Sequence, residues 1–530
     1  MPDVVVIGSG HNSLVSACYL AKAGLSVVVV ERDTVPGGAV STVERFPGYL
    51  MDRGSSAHMM IRLTGIVEEL ELPKYGLQYQ DMDPWGFAPF WNQHGEQVAL
   101  TFFVDLDRTC ASIESVCGAQ DAEAYRLFAT DWAARNESVF EAFAAAPTPA
   151  RIARSLWGLG RRSALGGVEL SRQFLTSGDA LLDAHFSDER LKTALAWLGS
   201  QSGPALHEPA TANLVGWTSL MHRQPPGHPR GGSGMLTAAL VSRLRADGGE
   251  IRLGDGAAGV LAANGRVTGV RTDSGDVLPS ATVVAGCHVL TTMNLLGAYA
   301  PSALTDRVRR TVRIGNGIGL AVRLGTTDLP RYPAAAADGS SYRAIQLIAP
   351  SRRALREAYA SHLAGRPPVD PPALAMTFSA FDDTIAPPGR HNVTVWGQWY
   401  PYELSTERWP DIAEREARRL VDVISAAAPG FADTVEHVHV QSPVDLEREL
   451  GLLKGNVMHV DMSLDQMFSW RPLPELAGHR VPGVGGLYLT GASTHPGGGV
   501  FGSSGRTVAR LVIKDRARSS RRWLRSGSPR

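Results

Sequence analysis

Cysteine is scarce in this chain. Only four are present among 530 residues, at 18, 110, 117 and 287, and no two of them have C-x-x-C spacing. That excludes a disulfide-stapled fold and a C-x-x-C redox centre. Cys110 and Cys117 are close enough in sequence to meet, but reduced structural thiols are the expectation. An excess of charge is missing as well. Lys+Arg and Asp+Glu both total 52, which gives no reason to expect nucleic acid or an acidic partner. No apolar run approaches the ~20 residues that cross a bilayer. No internal repeat is visible and no metal-ligand spacing stands out. A signal peptide is not expected either, because Asp3 precedes the first apolar residues and a glycine turn follows them. The expectation is a cytoplasmic, globular chain. At 530 residues it is longer than one core allows, so about two to four domains or subdomains are anticipated.

What is present is concentrated at the two ends. Val4-Val5-Val6-Ile7 leads into Gly8-Ser9-Gly10-His11-Asn12-Ser13 and then a helical stretch ending near Gly24. A second apolar run, Val27 to Val30, closes on Glu31. Strand, glycine turn, helix, strand and terminal acid are the order a dinucleotide site requires. Gly8 permits the tight turn, and Gly10 lets the backbone approach a pyrophosphate at the helix N-terminus. Glu31 stands where a carboxylate accepts hydrogen bonds from an adenosine ribose. Ser13 replaces the third glycine of G-x-G-x-x-G, which predicts slightly looser helix–strand contact.

Arg32 follows the acid, and Gly37-Gly38-Ala39 comes shortly after. A second glycine pair past the ribose-binding acid suits an extended cofactor held along its length, a flavin habit. The opening segment resembles the FAD-binding start of the phytoene desaturase-like flavoproteins. It is closest to the branch holding the pyridine nucleotide-disulfide oxidoreductase domain 2 proteins and the desaturase-like carotenoid ketolases. His11-Asn12 and Leu14 carry that likeness. So does the block Gly491-Ala-Ser-Thr-His495-Pro-Gly497-Gly498-Gly499-Val500-Phe501-Gly502, which precedes a helix. His459-Val-Asp-Met-Ser-Leu-Asp465-Gln with Arg471-Pro472 adds to it.

The resemblance implies FAD as cofactor. It implies contacts from Gly8, Gly10, His11, Asn12, Ser13, Glu31, Arg32, Gly37, Gly38, Ala39, Gly54, Ser55, Ala257, Gly491, Gly499, Val500 and Gly502, with Ala257 meeting the adenine through its backbone. Glycines around residues 491–502 are expected to let a flat ring lie on backbone. The following helix N-terminus is expected to stabilise negative charge on a reduced flavin.

The implied fold class is α/β (α+β overall). A Rossmann-type FAD-binding domain of the glutathione-reductase/amine-oxidase kind, discontinuous in sequence, accompanies a mixed sheet-and-helix substrate domain. The FAD domain is drawn from residues 1–75, 229–298 and 472–513, and the substrate domain from 76–228 and 299–471. Helical periodicity is read at 121–146, 150–160 and 180–200, and strands at 342–348, 374–381 and 392–399. An antiparallel sheet roofed by helices opposite the flavin is expected. Residues 514–530 form a basic tail, read as disordered and solvated, with peripheral contact to anionic lipid as the alternative.

Chemistry is less legible than cofactor. His495 is the first-choice catalytic side chain, against the plainer reading that it packs its loop. His58, His459, Asp465 and Arg471 are further pocket candidates, with structural roles as the default. Trp85, Phe87, Phe90, Trp91, Phe102 and Phe103 either shape an apolar tunnel or pack a core. The expected activity is an FAD-dependent desaturase or dehydrogenase on an apolar, carotenoid-like or natural-product small molecule. A flavin amine oxidase, a ketolase or a non-catalytic escort-type protein on the same fold are the alternatives. The sequence names neither the electron acceptor nor the oligomeric state.

Overall fold

In a computed structural model, the described residues are 1–144, 147 and 172–526. The helix expected over 150–160 lies outside them. Val4–Ile7 forms β1, and all four of its residues are buried. A strand apolar on both faces belongs inside a parallel sheet, and this one does. With β2 (Val27–Glu31), β3 (Glu250–Leu253), β4 (Val283–Ala285) and β5 (Leu487–Leu489) it makes a five-stranded sheet in the order β5-β4-β1-β2-β3. Every pairing is parallel.

Helix α1 (His11–Lys22), α2 (Gly234–Ala246) and α3 (Ser503–Ser526) cover one face of this sheet, packing Leu14, Val15, Leu236, Leu240, Val508 and Val512 against Val4, Val6 and Val29. Val5, Ile7 and Val30 face a second cluster with Val260, Val267, Val270 and Met293. That cluster lies under a three-stranded antiparallel sheet of residues 257–263, 266–272 and 277–279. The chain therefore visits the parallel sheet at its beginning, middle and end. The carboxyl ends of β1, β2, β4 and β5 converge on one edge, where ligands bind in open α/β sheets.

The other large element is a seven-stranded sheet, in the order 435–441, 319–326, 391–398, 373–376, 345–348, 86–91, 97–102. Leu320, Val322 and Leu324 face the helix Trp409–Ala427. On the other side Leu347 and Leu374 pack with Leu195, Trp197 and the helices around them. The expected antiparallel sheet needs one correction, because residues 345–346 pair in parallel with 86–87. Two strand ranges also shorten. Residues 340–343 and 378–380 are single 3₁₀ turns, so the strands are Ile345–Ile348 and Ala373–Met376.

In a second correction, part of the tail expected to be disordered is helical, and residues 527–530 lie outside the described ones. Helix α3 runs on to Ser526. Its continuation is pinned by Asp515, which accepts from Arg480 and Tyr488, and by Arg516, which pairs with Asp3. No helix among the described residues is long and apolar enough to cross a membrane.

Candidate functional site

The crevice at the carboxyl ends of the parallel strands is built from two glycine turns facing each other. Gly8 ends β1 at φ +85° and donates its N–H to Val30 O at 2.8 Å. Gly10 caps α1 and forms a bridge with Gly37. A Cβ placed on Gly10 would meet nothing within 4 Å, so the space above the turn belongs to no protein atom. Gly38 has only the Gly10 Cα nearby, at 3.9 Å. Helix α1 opens with no side-chain cap and no acid in its first turn, leaving its partial positive charge to the crevice.

Glu31 is held firmly at the end of β2. Its Oε2 accepts from Ser9 N at 2.6 Å and Ser9 Oγ at 2.7 Å, and its Oε1 from Asp33 N at 2.9 Å. Ser9 Oγ also accepts from Gly37 N at 3.1 Å, so one hydroxyl ties the acid to both glycine turns. The motif reading passed over Ser9, although it is the x of its G-x-G. Arg32 lies against Gly256 and Gly451, and the backbone of Asp255 donates to Glu31 O at 3.0 Å. Ala257, two residues on, is thus brought to the Glu31–Arg32 end of the crevice. Ala39, Gly54 and Ser55 also meet: Ser55 N donates to Ala39 O at 2.8 Å, and Gly54 packs on Ala39.

Ser13, the departure from the glycine pattern, has a partner the sequence did not reveal. A Cβ on Gly286, just after β4, would come within 1.8 Å of Ser13 Oγ. The glycine missing from the helix is supplied from the facing strand, and close packing is kept rather than loosened.

The C-terminal block uses its glycines differently. A Cβ would sit 2.8 Å from Gly286 O at Gly491, 2.4 Å from Met458 Sδ at Gly498, and 2.0 Å from Asn12 O at Gly505. These glycines let protein segments touch. Gly499 at φ +110°, Val500 at φ +56° and Gly502 at φ +71° make a left-handed turn into α3, and Val500 is the costly member. Like α1, α3 has no acid in its first turn.

His495 is buried in this block. It stacks on Phe143 with centroids 5.5 Å apart and planes 11° apart, and lies 6.1 Å from Phe468. Phe143 in turn stacks on Phe501 at 5.7 Å and meets Trp217 edge-on at 5.2 Å. The cluster continues through Met59, Met60, Val139, Phe140 and Met467.

The other candidates separate. His58 is fully buried, with Nδ1 2.9 Å from Tyr79 OH and Nε2 2.9 Å from Ser233 Oγ; burial pushes it down to about 3, so it is a neutral, satisfied loop histidine. Asp465 is exposed and paired with Arg313. Arg471 is wholly buried and donates to five carbonyls, those of Met458, Val460, Asp461, Gln466 and Ala492. It has no carboxylate partner within ion-pair distance among the described residues, so its structural role is to clamp loops. His459 belongs to the loop it clamps.

The aromatics between 85 and 103 are mostly core, and Trp91 ends its strand at the surface. Trp85, Phe87, Phe90 and Phe102 are core, while Trp91 is exposed. All four cysteines are free, and burial raises their thiol pKa values, Cys117 to about 12. No metal-binding group of side chains occurs among the described residues. A cavity of about 460 Å³ lined by Asp83, Asp338, Arg343 and His391 shares none of these residues and is separate from the crevice.

The crevice fits a dinucleotide on three observations. Open space stands over Gly10, the N-terminus of α1 is unclaimed, and Asn12 Oδ1 and Ser503 Oγ are buried there without partners.

Comparison with known proteins agrees. Residues 6–70 match the NAD(P)-binding Rossmann-like domain family. The chain is 31% identical to pyridine nucleotide-disulfide oxidoreductase domain-containing protein 2 of Mus musculus, over 97% of this chain and 93% of that protein. It is 25% identical to the phytoene dehydrogenase of Streptomyces griseus, over 99% and 98% of the two chains. Among solved structures, cyclohexylamine oxidase from Brevibacterium oxydans shares the fold with a TM-score of 0.58 at 15% identity, over 97% and 99% of the chains. A strand–turn–helix site at the sheet's switch edge, joined to full-length likeness, leads to one conclusion: this chain belongs to the phytoene desaturase-like family of FAD-type oxidoreductases, in the branch of pyridine nucleotide-disulfide oxidoreductase domain-containing protein 2.

Proposed function

We propose that this chain binds FAD and dehydrogenates an apolar small molecule. The carrying observation is the apolar, aromatic cluster around Phe143, directly against the His495–Phe501 loop. A wall of this kind rewards flat or unsaturated hydrocarbon and offers a polar substrate nothing to pair with.

In this reading the adenosine end of FAD lies by Glu31, Arg32 and Ala257. The pyrophosphate lies over Gly8, Gly10 and the start of α1, and residues 37–39 and 54–55 follow the ribityl chain. Gly491, Gly499, Val500 and Gly502 flank the ring. Residues 1–75, 229–298 and 472–513 are assigned to the cofactor, and 76–228 with 299–471 to the substrate. Bound FAD supplies a two-electron acceptor for the hydride that leaves a substrate C–H. The chain's own work is to orient that C–H, exclude water with the aromatic wall, and receive the proton from the adjacent carbon. His495, presented inside the wall, is the candidate acceptor.

The test is spectroscopic. Purified chain is expected to be yellow or to take up added FAD. It is expected to bleach under anaerobic conditions with isoprenoid or polyene hydrocarbons, and its colour should return with oxygen or a quinone. Bleaching by amines alone would favour the amine-oxidase reading, for which aromatic walls also serve by cation–π contact. Colourless protein that binds no FAD would overturn the proposal. His495→Gln is expected to slow the bleaching about a hundredfold with FAD retained; an unchanged rate would return His495 to a packing role.

A further inference from the structure

One histidine beside the crevice combines a left-handed backbone with a ring nitrogen that has no partner within the protein. His459 adopts φ +65°, a left-handed conformation uncommon outside glycine. Its Nδ1 is inaccessible to solvent and has no hydrogen-bond partner. An orphaned buried nitrogen on a left-handed backbone is left to a ligand only where the residue also borders the crevice.

The surroundings fix where that partner sits. His288 Nδ1 accepts the Leu290 N–H at 3.1 Å, so His288 Nε2 carries its proton and donates to His459 O at 2.9 Å. The two imidazoles stack with centroids 5.7 Å apart. On either side, Arg471 grips the carbonyls of Met458 and Val460, and ties them to Ala492 at the start of the C-terminal glycine block. Met458 Sδ fills the space above Gly498. His459 is therefore presented by a clamped loop beside that block, and His288, which stacks on it, follows Cys287, whose backbone N lies 3.9 Å from a Cβ placed on Gly8. His11, His288 and Arg471 are near enough to oppose its protonation, and burial drives it to about 3. Among the described residues no carboxylate acts on it, so the ring is left to a group that brings its own negative charge or lone pair.

We infer that His459 is a cofactor anchor, its Nδ1–H donating to a pyrophosphate oxygen of the dinucleotide, with Arg471 and His288 as its positioning residues. This rests on the FAD reading. The pyrophosphate is the one part of that cofactor that brings negative charge to the His11 turn, and a hydrogen bond to an anion is the stronger kind.

His459→Gly separates anchoring from folding, because glycine accepts φ +65° and removes the ring. The apo form of His459→Gly is expected to melt no lower than the wild-type apo form, yet to bind FAD about tenfold more weakly by fluorescence titration. ADP, which carries the pyrophosphate without the flavin, is expected to show the same loss. His479→Gly is the control, since His479 also has a left-handed backbone, at φ +60°, and an orphaned Nε2. Its Nδ1 is already bonded to Leu489 O, and no group of the N-terminal turn acts on its ring, so it should leave FAD affinity unchanged. Unchanged FAD affinity in His459→Gly would overturn the anchor while leaving the FAD reading intact. Weakened FAD with unchanged ADP would overturn the pyrophosphate contact. A wild-type chain that takes up no FAD would remove both.

Discussion

The two glycine-rich ends of this site look alike in sequence and do opposite things. At the N-terminal turn, Gly10 and Gly38 face space that no protein atom fills, although Gly37 beside them packs on Val40 O and Thr237. In the C-terminal block, Gly491, Gly498 and Gly505 are the places where backbone or side chain from elsewhere arrives within 2.8 Å of a would-be Cβ. One set of glycines makes room for a ligand. The other makes room for the protein itself, and in doing so draws α3 and its entry loop onto α1 and β4. A glycine count does not distinguish these uses; the neighbour of the absent Cβ does.

That contrast is open to breakage, most strongly by a pair of substitutions. Gly505→Val drives a side chain into the Asn12 carbonyl and is expected to prevent soluble folding, at a cost of more than about 3 kcal/mol. Gly10→Val keeps a permitted backbone, φ −56° with open space around it. Its apo melting temperature is expected to stay within a few degrees of wild type while FAD affinity falls about a hundredfold or more. Equal destabilisation of both variants in thermal melts would erase the distinction.

Acid is expected to act next, and on the ligand side of the contrast. Burial holds His11 and His288 at about 4 and His58 and His459 at about 3, all below the ordinary 6.5. An unfolded chain binds these protons from pH 6.5 downward, whereas the folded chain refuses them until about pH 4 to 3. Stability is therefore full above pH 6.5 and falls progressively as pH drops toward 4. Urea midpoints taken every half unit of pH across that window check the sign. A midpoint that stays flat from pH 7 to 4.5 would show that these histidines are not neutral and buried.

The smallest effect sharpens the contrast at one contact. Gly286→Ala collides with Ser13 and is expected to cost about 1–3 kcal/mol. Adding Ser13→Gly removes the colliding Oγ and should recover most of that loss, although Ile7 O at 3.2 Å remains. A double-mutant cycle by chemical denaturation measures the coupling; a coupling near zero would mean the helix and strand are free to part.

Legibility in the sequence followed the range of the interactions. The strand–turn–helix–strand–acid order needs only neighbours along some 30 residues, so Gly8, Gly10 and Glu31 were readable from spacing. What escaped depends on partners far along the chain. Gly286 opposite Ser13, Phe143 against His495, and Arg471 gripping residues 458–492 leave no periodic trace. The tail misled for a related reason. Its basic composition suggests a solvated end, but Asp515 and Arg516 find Arg480, Tyr488 and Asp3 across the fold and keep α3 helical.

The sequence by itself determined the parallel sheet, the dinucleotide turn and the family, because these rest on local patterns of apolar residues, glycines and one acid. Tertiary structure decided which glycines face a ligand and which face protein. It also decided that the serine in the motif is matched by a glycine on another strand, and which buried histidine is left without a partner. Those are properties of distance between remote segments, and no local pattern encodes them.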